Sequence, residues 1–471
     1  MQPSPENRLL ARSIIASQFA PPFMFSGVAI ALPTMGLELH AGATSLTLVE
    51  TLFLAGSLSF LLPIGRLADA GDKKSLYKFG LLGFSLTSIL ISLMTSMPII
   101  LCLRFVQGLT SAVFVATGPA ILADIVPSEH RGRAFGSSMG AIYSGLTLGP
   151  IVAGVLVKWI SWRAVFLFGA VILMAGYLLI RRLMPAKAEL PVRVLHLPSV
   201  LLVVAAALSV VIGSAFVKDG AIAYEVIAAG LAMATTFVFM QRRLEKPLLN
   251  VTALMANRVL RNALLVQMLV YTQAMVSMFL LSLYLQVSLR IEPEDTGPVL
   301  AVGSVIMAIL APFSGRLADR FRPGVLSSLG IASILVTAVM ATTLNEHTSL
   351  WFVRGMLAFQ GLGFALFSSP NMTIIMNSVA SAKVSMASAL GAKSRSMGTV
   401  TGMLIASILV SIHIGADRVQ DHPESMIDIV SSAFVILIIG LSLALLLSIV
   451  GEFRDASQAT AQLAATQNRV G

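Results

Sequence analysis

The sequence predicts an all-α polytopic membrane protein with fourteen transmembrane helices, and three observations carry that prediction. Charge is scarce: 11% of the 471 residues are charged and 56% are hydrophobic, against about 25% charged in a soluble domain. Apolar runs of about twenty residues recur along the chain, each long enough as a helix to cross about 30 Å of hydrocarbon. A charged signature, Gly65-Arg66-Leu67-Ala68-Asp69, returns 250 residues later as Gly315-Arg316-Leu317-Ala318-Asp319.

Taken in order, the runs fall at roughly 13–35, 46–65, 76–96, 98–122, 134–157 and 162–180, then 198–217 and 221–240. The last six lie near 262–286, 297–316, 323–344, 348–370, 386–412 and 427–450. Gly80 and Gly330, like Arg104 and Arg354, keep the 250-residue offset, so spans one to six and nine to fourteen read as two repeats. An even number of spans separates them, so they run in parallel. The expected domains are an N-terminal six-helix bundle over 1–182, a linker with two extra helices over 183–261, a C-terminal six-helix bundle over 262–450, and a cytoplasmic tail over 451–471. The first apolar run carries Pro21-Pro22 and lacks a small-residue cleavage site, which reads as a retained span rather than a signal peptide. The polar tail after Gly451 is expected to be short and poorly ordered.

The formal charge of +10 invites a nucleic-acid reading, but its distribution excludes that partner. The lysines and arginines alternate loop by loop. All 32 fall on the side of the N-terminus except Arg104, Lys158, Arg163, Lys218, Arg290, Arg354 and Arg418. Both termini are therefore expected in the cytoplasm, with the chain in the cytoplasmic (inner) membrane. Cys102 is the sole cysteine, so no intrachain disulfide forms. No metal-ligand cluster, nucleophile elbow or phosphate loop is present, so neither an enzyme nor a cofactor-dependent protein is expected, and the metal expectation is none.

The motifs resemble those of the major facilitator superfamily, and within it the fourteen-helix drug:proton antiporters, over essentially the whole length. The loop after span two matches the family pattern at Gly65, Leu67, Ala68, Asp69, Lys73 and Lys74. It departs at Ala70, where a base is usual, and at Asp72, where glycine is usual. The second copy, Gly315 and Asp319, has the base at Arg320. Gly65 and Asp69 share a helical face, so glycine would let a backbone approach beside the carboxylate. Asp69 would then meet the positive end of a helix in the other half. The resemblance adds Lys73 and Asp124 as a charge relay, making this loop a conformational latch.

Gly145, Gly149, Pro150 and Gly154 in span five match the antiporter signature of exporters. Glycines four apart let helices touch, and the proline bends its helix. Arg104-Phe105-Val106-Gln107-Gly108 opens span four and resembles another family signature. A guanidinium in a membrane must face a cavity, find acceptors, or snorkel from a helix end. Family members carry an aspartate nine residues before Pro33, where this chain has Met24. Glu50, inside span two, becomes the candidate for proton coupling, with Arg104 as the second candidate.

Candidate substrate-cavity residues are Gln18, Phe23, Met24, Phe53, Gln107 and Tyr143 in the first half, and Gln267, Tyr271, Asn371 and Arg395 in the second. The expected function is secondary active export of amphipathic small molecules or drugs by alternating access, coupled to protons, by a monomer in the lipid bilayer. The alternatives are a dedicated metabolite or siderophore exporter, with an anionic substrate in view of Met24 and Arg395, and a non-transporting membrane sensor or assembly partner.

Overall fold

A computed structural model describes residues 5–70, 72–126, 131–183, 196–244, 257–318, 321–379 and 384–467. These residues form helices joined by short turns. The first repeat holds α1 (Pro5–Ser17), α2 (Ala20–Glu38), α3 (Ala43–Ala70), α4 (Lys73–Leu93), α5 (Met97–Ile125), α6 (Arg131–Trp159) and α7 (Arg163–Leu183). The inserted pair is α8 (Leu197–Ala215) and α9 (Ala221–Arg243). The second repeat holds α10 (Arg258–Val287), α11 (Pro293–Ala318), α12 (Pro323–Ala341), α13 (Leu350–Asn377), α14 (Val384–His413) and α15 (Pro423–Gln467).

Fourteen segments among the described residues are long and apolar enough to cross a membrane. The first is built from two helices. Gln18 and Phe19 interrupt it, their amides bonding back to Ile15 and Ala16 at 3.1 and 3.2 Å. Pro21 and Pro22 then open α2 at a helix start, where the missing N–H donors cost nothing. A second departure lies at the other terminus. The segment expected to be a poorly ordered tail continues α15 as helix as far as Gln467. Its alanines and glutamines have high helix propensity, and no glycine or proline lies between Glu452 and Gln467.

The chain forms two compact units. Unit 1 comprises 1–251 together with 276–301 and 403–429; unit 2 comprises 252–275, 302–402 and 430–471. The division runs through α10, α11, α14 and α15 because one end of each of these helices packs with the first repeat inside unit 1. There Ser282 Oγ donates to the Ala29 carbonyl at 2.9 Å, and Thr44 Oγ1 donates to Gly415 at 2.8 Å. The Ala43 amide reaches the Asp417 carbonyl at 2.8 Å, and Gln420 Nε2 reaches Pro33 at 2.8 Å. Gly42 has no side chain for a reason: a Cβ there would stand 1.9 Å from the Ala416 carbonyl oxygen.

The inserted pair also belongs to unit 1. Leu48 and Ala55 of α3 cluster with Val211 and Ala215 of α8, and α9 packs on α8. Beyond α8, Ile222, Tyr224, Leu231 and Phe239 of α9 are exposed, the expected surface of a helix that faces lipid. At the turn between them Lys218 Nζ donates to the Ile414 carbonyl at 3.0 Å, at the C-terminal end of α14.

Candidate functional site

Two glycines bring α3 and α5 into backbone contact in unit 1. A Cβ on Gly56 would lie 2.3 Å from the Phe105 carbonyl oxygen, and one on Gly108 would lie 2.0 Å from that of Phe53. Glu50, Phe53 and Gly56 are spaced by three and share one face of α3; Arg104 and Gly108 are spaced by four and share the opposing face of α5. Close approach at the glycines therefore presses Glu50 against Arg104. Their side chains are each only 1% exposed, and Arg104 Nη2 donates to Glu50 Oε2 at 3.0 Å.

The rest of the guanidinium is equally occupied. Nε donates to the Val49 carbonyl at 2.8 Å, and Nη1 donates to Gln107 Oε1 at 2.6 Å. The Phe53 ring lies 4.5 Å from its Cζ and the Phe166 ring 5.8 Å. Gln107 Nε2 passes the chain on to Ser88 Oγ of α4 at 2.7 Å, and Ser88 lies 3.8 Å from Met24 Sδ. One atom in this network has no hydrogen-bond partner among the described residues: Glu50 Oε1, which is buried. Of the alternatives open to Arg104 in the sequence, the structure shows acceptors: the guanidinium turns inward to groups supplied by α3 and by its own helix.

Chemically, a buried and fully bonded cation next to a carboxylate with one spare oxygen can hold or release a proton at Glu50 and little else. Neutralising Glu50 leaves Arg104 as an uncompensated charge in a dry site, which costs several kcal/mol. A proton at this position therefore changes the energy of the whole packing arrangement.

Phe23 is buried, stacked on Phe19 at 5.5 Å and tilted against Phe168 of α7 at 4.9 Å. Met24 fills the space above Gly169, where a Cβ would meet its sulfur at 2.2 Å. Phe53 and Gln107 serve the guanidinium. These four pack between helices of unit 1. Gln18 is buried too, with its Nε2 lacking a partner among the described residues, and Tyr143 is half-buried on α6. In unit 2, Tyr271 meets Phe364 edge-on at 5.8 Å and lies 6.0 Å from Arg395 Cζ. Asn371 Nδ2 donates to the Ala263 carbonyl at 3.4 Å, and Gln267 Oε1 is buried without a partner among the described residues.

The signature on α6 divides its labour. Gly145 and Gly149 admit α2, since their Cβ atoms would stand 2.2 Å from the Phe19 carbonyl oxygen and 2.0 Å from Ser26 Oγ. Pro150 and Gly154 meet the start of α11: a Cβ on Gly154 would stand 2.4 Å from the Pro293 carbonyl oxygen, and one on Gly297 would stand 2.2 Å from that of Pro150. Beside them Lys158 and Trp159 bond the Glu294 carboxylate. Glu38 likewise takes Arg163 and the Trp162 indole, the latter at 2.7 Å. Neither acid stood among the sequence candidates; their signal was an acidic residue at a helix end near a Trp-basic pair.

At the 65–74 loop Lys73 Nζ donates to Asp124 Oδ2 at 2.9 Å, an ion pair between the two residues that the resemblance links. Both groups are substantially exposed, and such pairs contribute about 0–1 kcal/mol. Gly65 departs from expectation: a Cβ there would meet no described atom within 4 Å, so no close approach is made. Lys74 gives its backbone amide to Asp72 Oδ1 at 3.0 Å, and Ser75 Oγ reaches Oδ2 at 2.7 Å. Asp72, a departure from the family glycine, is therefore the N-cap of α4. Partial burial pushes its pKa up, but the Ser75 hydroxyl, the Lys74 and Ser75 amides and nearby Lys78 outweigh it and hold the carboxyl below the ordinary range. Asp69 lies on α3 and Gly315 on α11, but their surroundings, like Asp319 and Arg320 entirely, fall outside the described residues.

Comparison with known proteins places these features in context. The Major Facilitator Superfamily model matches residues 14–256 and 263–470. A riboflavin transporter of Clostridioides difficile is 23% identical over 74% of this chain and 76% of its own length. The tetracenomycin C resistance and export protein of Streptomyces glaucescens is 25% identical over 82% and 73%. The puromycin resistance protein of Streptomyces alboniger is 27% identical over 88% and 83%. Among solved structures, a bacterial homologue of the human lysosomal transporter Spinster, in an inward-facing and unoccupied conformation, matches 96% of this chain and 98% of its own with a TM-score of 0.70 at 13% identity. This chain is a multi-pass membrane protein that belongs to the Major Facilitator Superfamily.

Proposed function

We propose that this chain exports an amphipathic small molecule from the cytoplasm in exchange for protons, with both termini in the cytoplasm. The observation that carries the reading is the buried Glu50–Arg104 pair with its one unpartnered carboxylate oxygen. In the deprotonated state the pair is neutral overall and the network from Val49 to Ser88 is complete. A proton on Glu50 leaves Arg104 uncompensated, and that cost favours whichever arrangement gives the guanidinium water or another anion. Alternating access then follows from a site whose burial depends on its proton. Export, rather than uptake, is supported by the Gly145–Gly154 signature and by similarity to two resistance proteins, one of them named as an exporter.

A second reading, a dedicated metabolite exporter, draws on Met24 where the family has an acid, and on similarity to a protein named as a riboflavin transporter. The test is reconstitution into proteoliposomes under an imposed pH gradient, with sulforhodamine B and rhodamine 6G as anionic and cationic probes on one scaffold. Gradient-driven accumulation of either dye is expected from the unaltered protein, with the gradient response lost in Glu50→Gln. A full gradient response in that variant would remove Glu50 from the coupling mechanism.

A further inference from the structure

We infer that unit 2 carries an organic-anion subsite built on Arg395, with Tyr271 and Gln267 beside it, so that the carried molecule is an aromatic or amphipathic anion. This rests on the transport reading above and adds the substrate's charge to it.

The argument begins with packing. On α14, Gly398 and Gly402 let α10 close in: their Cβ atoms would stand 2.3 Å from the Met268 carbonyl oxygen and 2.4 Å from that of Thr272. Two turns earlier the contact slackens. A Cβ on Gly391 would find Met372 Sδ at 3.4 Å and Gln267 Oε1 at 3.6 Å, ordinary contact distances. Gly391 and Arg395 are four apart on α14, and Gln267 and Tyr271 are four apart on α10, so all four face the same seam. Arg395 is half-buried there, and its guanidinium lies 6.0 Å from the Tyr271 ring and makes no hydrogen bond or ion pair among the described residues. The buried Gln267 Oε1 has no partner among the described residues either, an acceptor that suits a hydroxyl or N–H on the body of the molecule and not its anionic group.

Charge settles the sign of the ligand. The membrane segments of unit 2 (258–275, 302–318, 323–341, 350–377, 384–402 and 430–450) contain no Asp or Glu at all. The buried carboxylate of unit 1, Glu50, is already bonded to Arg104. An organic cation would thus find no acid in the membrane segments of unit 2, and it would meet an unpaired guanidinium instead. A cation inside a membrane protein that lacks an internal partner faces water or a ligand. The planar fork of arginine fits carboxylate and sulfonate groups, and Tyr271 with Phe364 offers an aromatic wall for the body of the molecule.

Equilibrium binding of sulforhodamine B and rhodamine 6G to the purified full-length protein in detergent tests this without any pH gradient. Saturable binding of the anionic dye is expected, unaffected by an excess of the cationic one. Arg395→Gln should weaken it about tenfold or more, the loss of a charge-assisted hydrogen bond, while Arg395→Lys keeps part of it. Absence of saturable sulforhodamine B binding, equal or tighter binding of rhodamine 6G, a smaller loss in Arg395→Gln, or equal losses in the Gln and Lys variants would overturn the assignment. Those results leave the Glu50 transport experiment standing, and failure of that experiment leaves these binding results standing.

Discussion

Arg104 and Arg354 occupy matching places in the two repeats, 250 residues apart, and their surroundings differ completely. Arg104 is buried in unit 1 and bonded on every side. Arg354, near the start of α13, is half-exposed and lies 4.9 Å from the Trp351 ring. The positions equivalent to Glu50, Ser88 and Gln107 are Leu300, Ala338 and Leu357, all buried. The glycines that shape the helix pairs are kept: a Cβ on Gly80 would stand 2.8 Å from the Phe114 amide, and one on Gly330 would stand 2.6 Å from the Gly363 carbonyl oxygen. One repeat thus packs with an apolar interior where the other holds an ion pair. Since buried ion pairs are often no better for stability than apolar residues of similar volume, the fold does not require the network at Glu50. Its retention in one repeat alone points to a task.

The comparison can be broken most forcefully at Arg104. Arg104→Met strands Glu50 in a dry site and should cost about 3–5 kcal/mol in reversible unfolding in detergent. Adding Glu50→Leu, which copies Leu300, should recover most of that loss. If the double variant is as unstable as the single one, the two interiors are not interchangeable and the comparison fails.

A smaller effect sits at the start of α4. Asp72 caps that helix through its side chain, whereas its repeat equivalent Arg322 begins α12 without a side-chain cap. Asp72→Ala should cost about 1 kcal/mol at neutral pH. The folded carboxyl is held below its ordinary range, so the capping contribution is present above the unfolded value and is lost as pH falls through the folded one. Unfolding measured across that acid range should show the variant and the unaltered protein converging. Smallest of all, Arg354→Ala removes an exposed cation–π contact and should change stability by about 0.5 kcal/mol, with transport intact. A large loss of transport there would give the second repeat a role like that of the first.

Much of this was legible in the sequence, and the gaps have physical causes. The fourteen spans follow from hydropathy, which depends only on local composition, whereas the duplication with its inserted pair is a reading of the 250-residue spacing. Glu50 and Arg104 could be singled out, because charge inside an apolar run is visible. Their pairing could not, since it depends on which faces of α3 and α5 meet, and Gly56 and Gly108 decide that only in three dimensions. Met24 was placed in a cavity because its polarity differs from the family acid; its packing over Gly169 depends on a residue 145 positions away. The break at Gln18 was hidden within one continuous apolar run, although Pro21 and Pro22 marked a helix start. The spacing from Gly145 to Gly154 announced helix contacts without revealing that α2 and α11 share them.

The most direct test of the central claim is dye accumulation in proteoliposomes bearing Glu50→Gln, with and without an imposed pH gradient. The account predicts that the gradient no longer drives accumulation, while the protein still inserts and exchanges dye down its own concentration gradient. Accumulation that still follows the pH gradient as strongly as in the unaltered protein would contradict it.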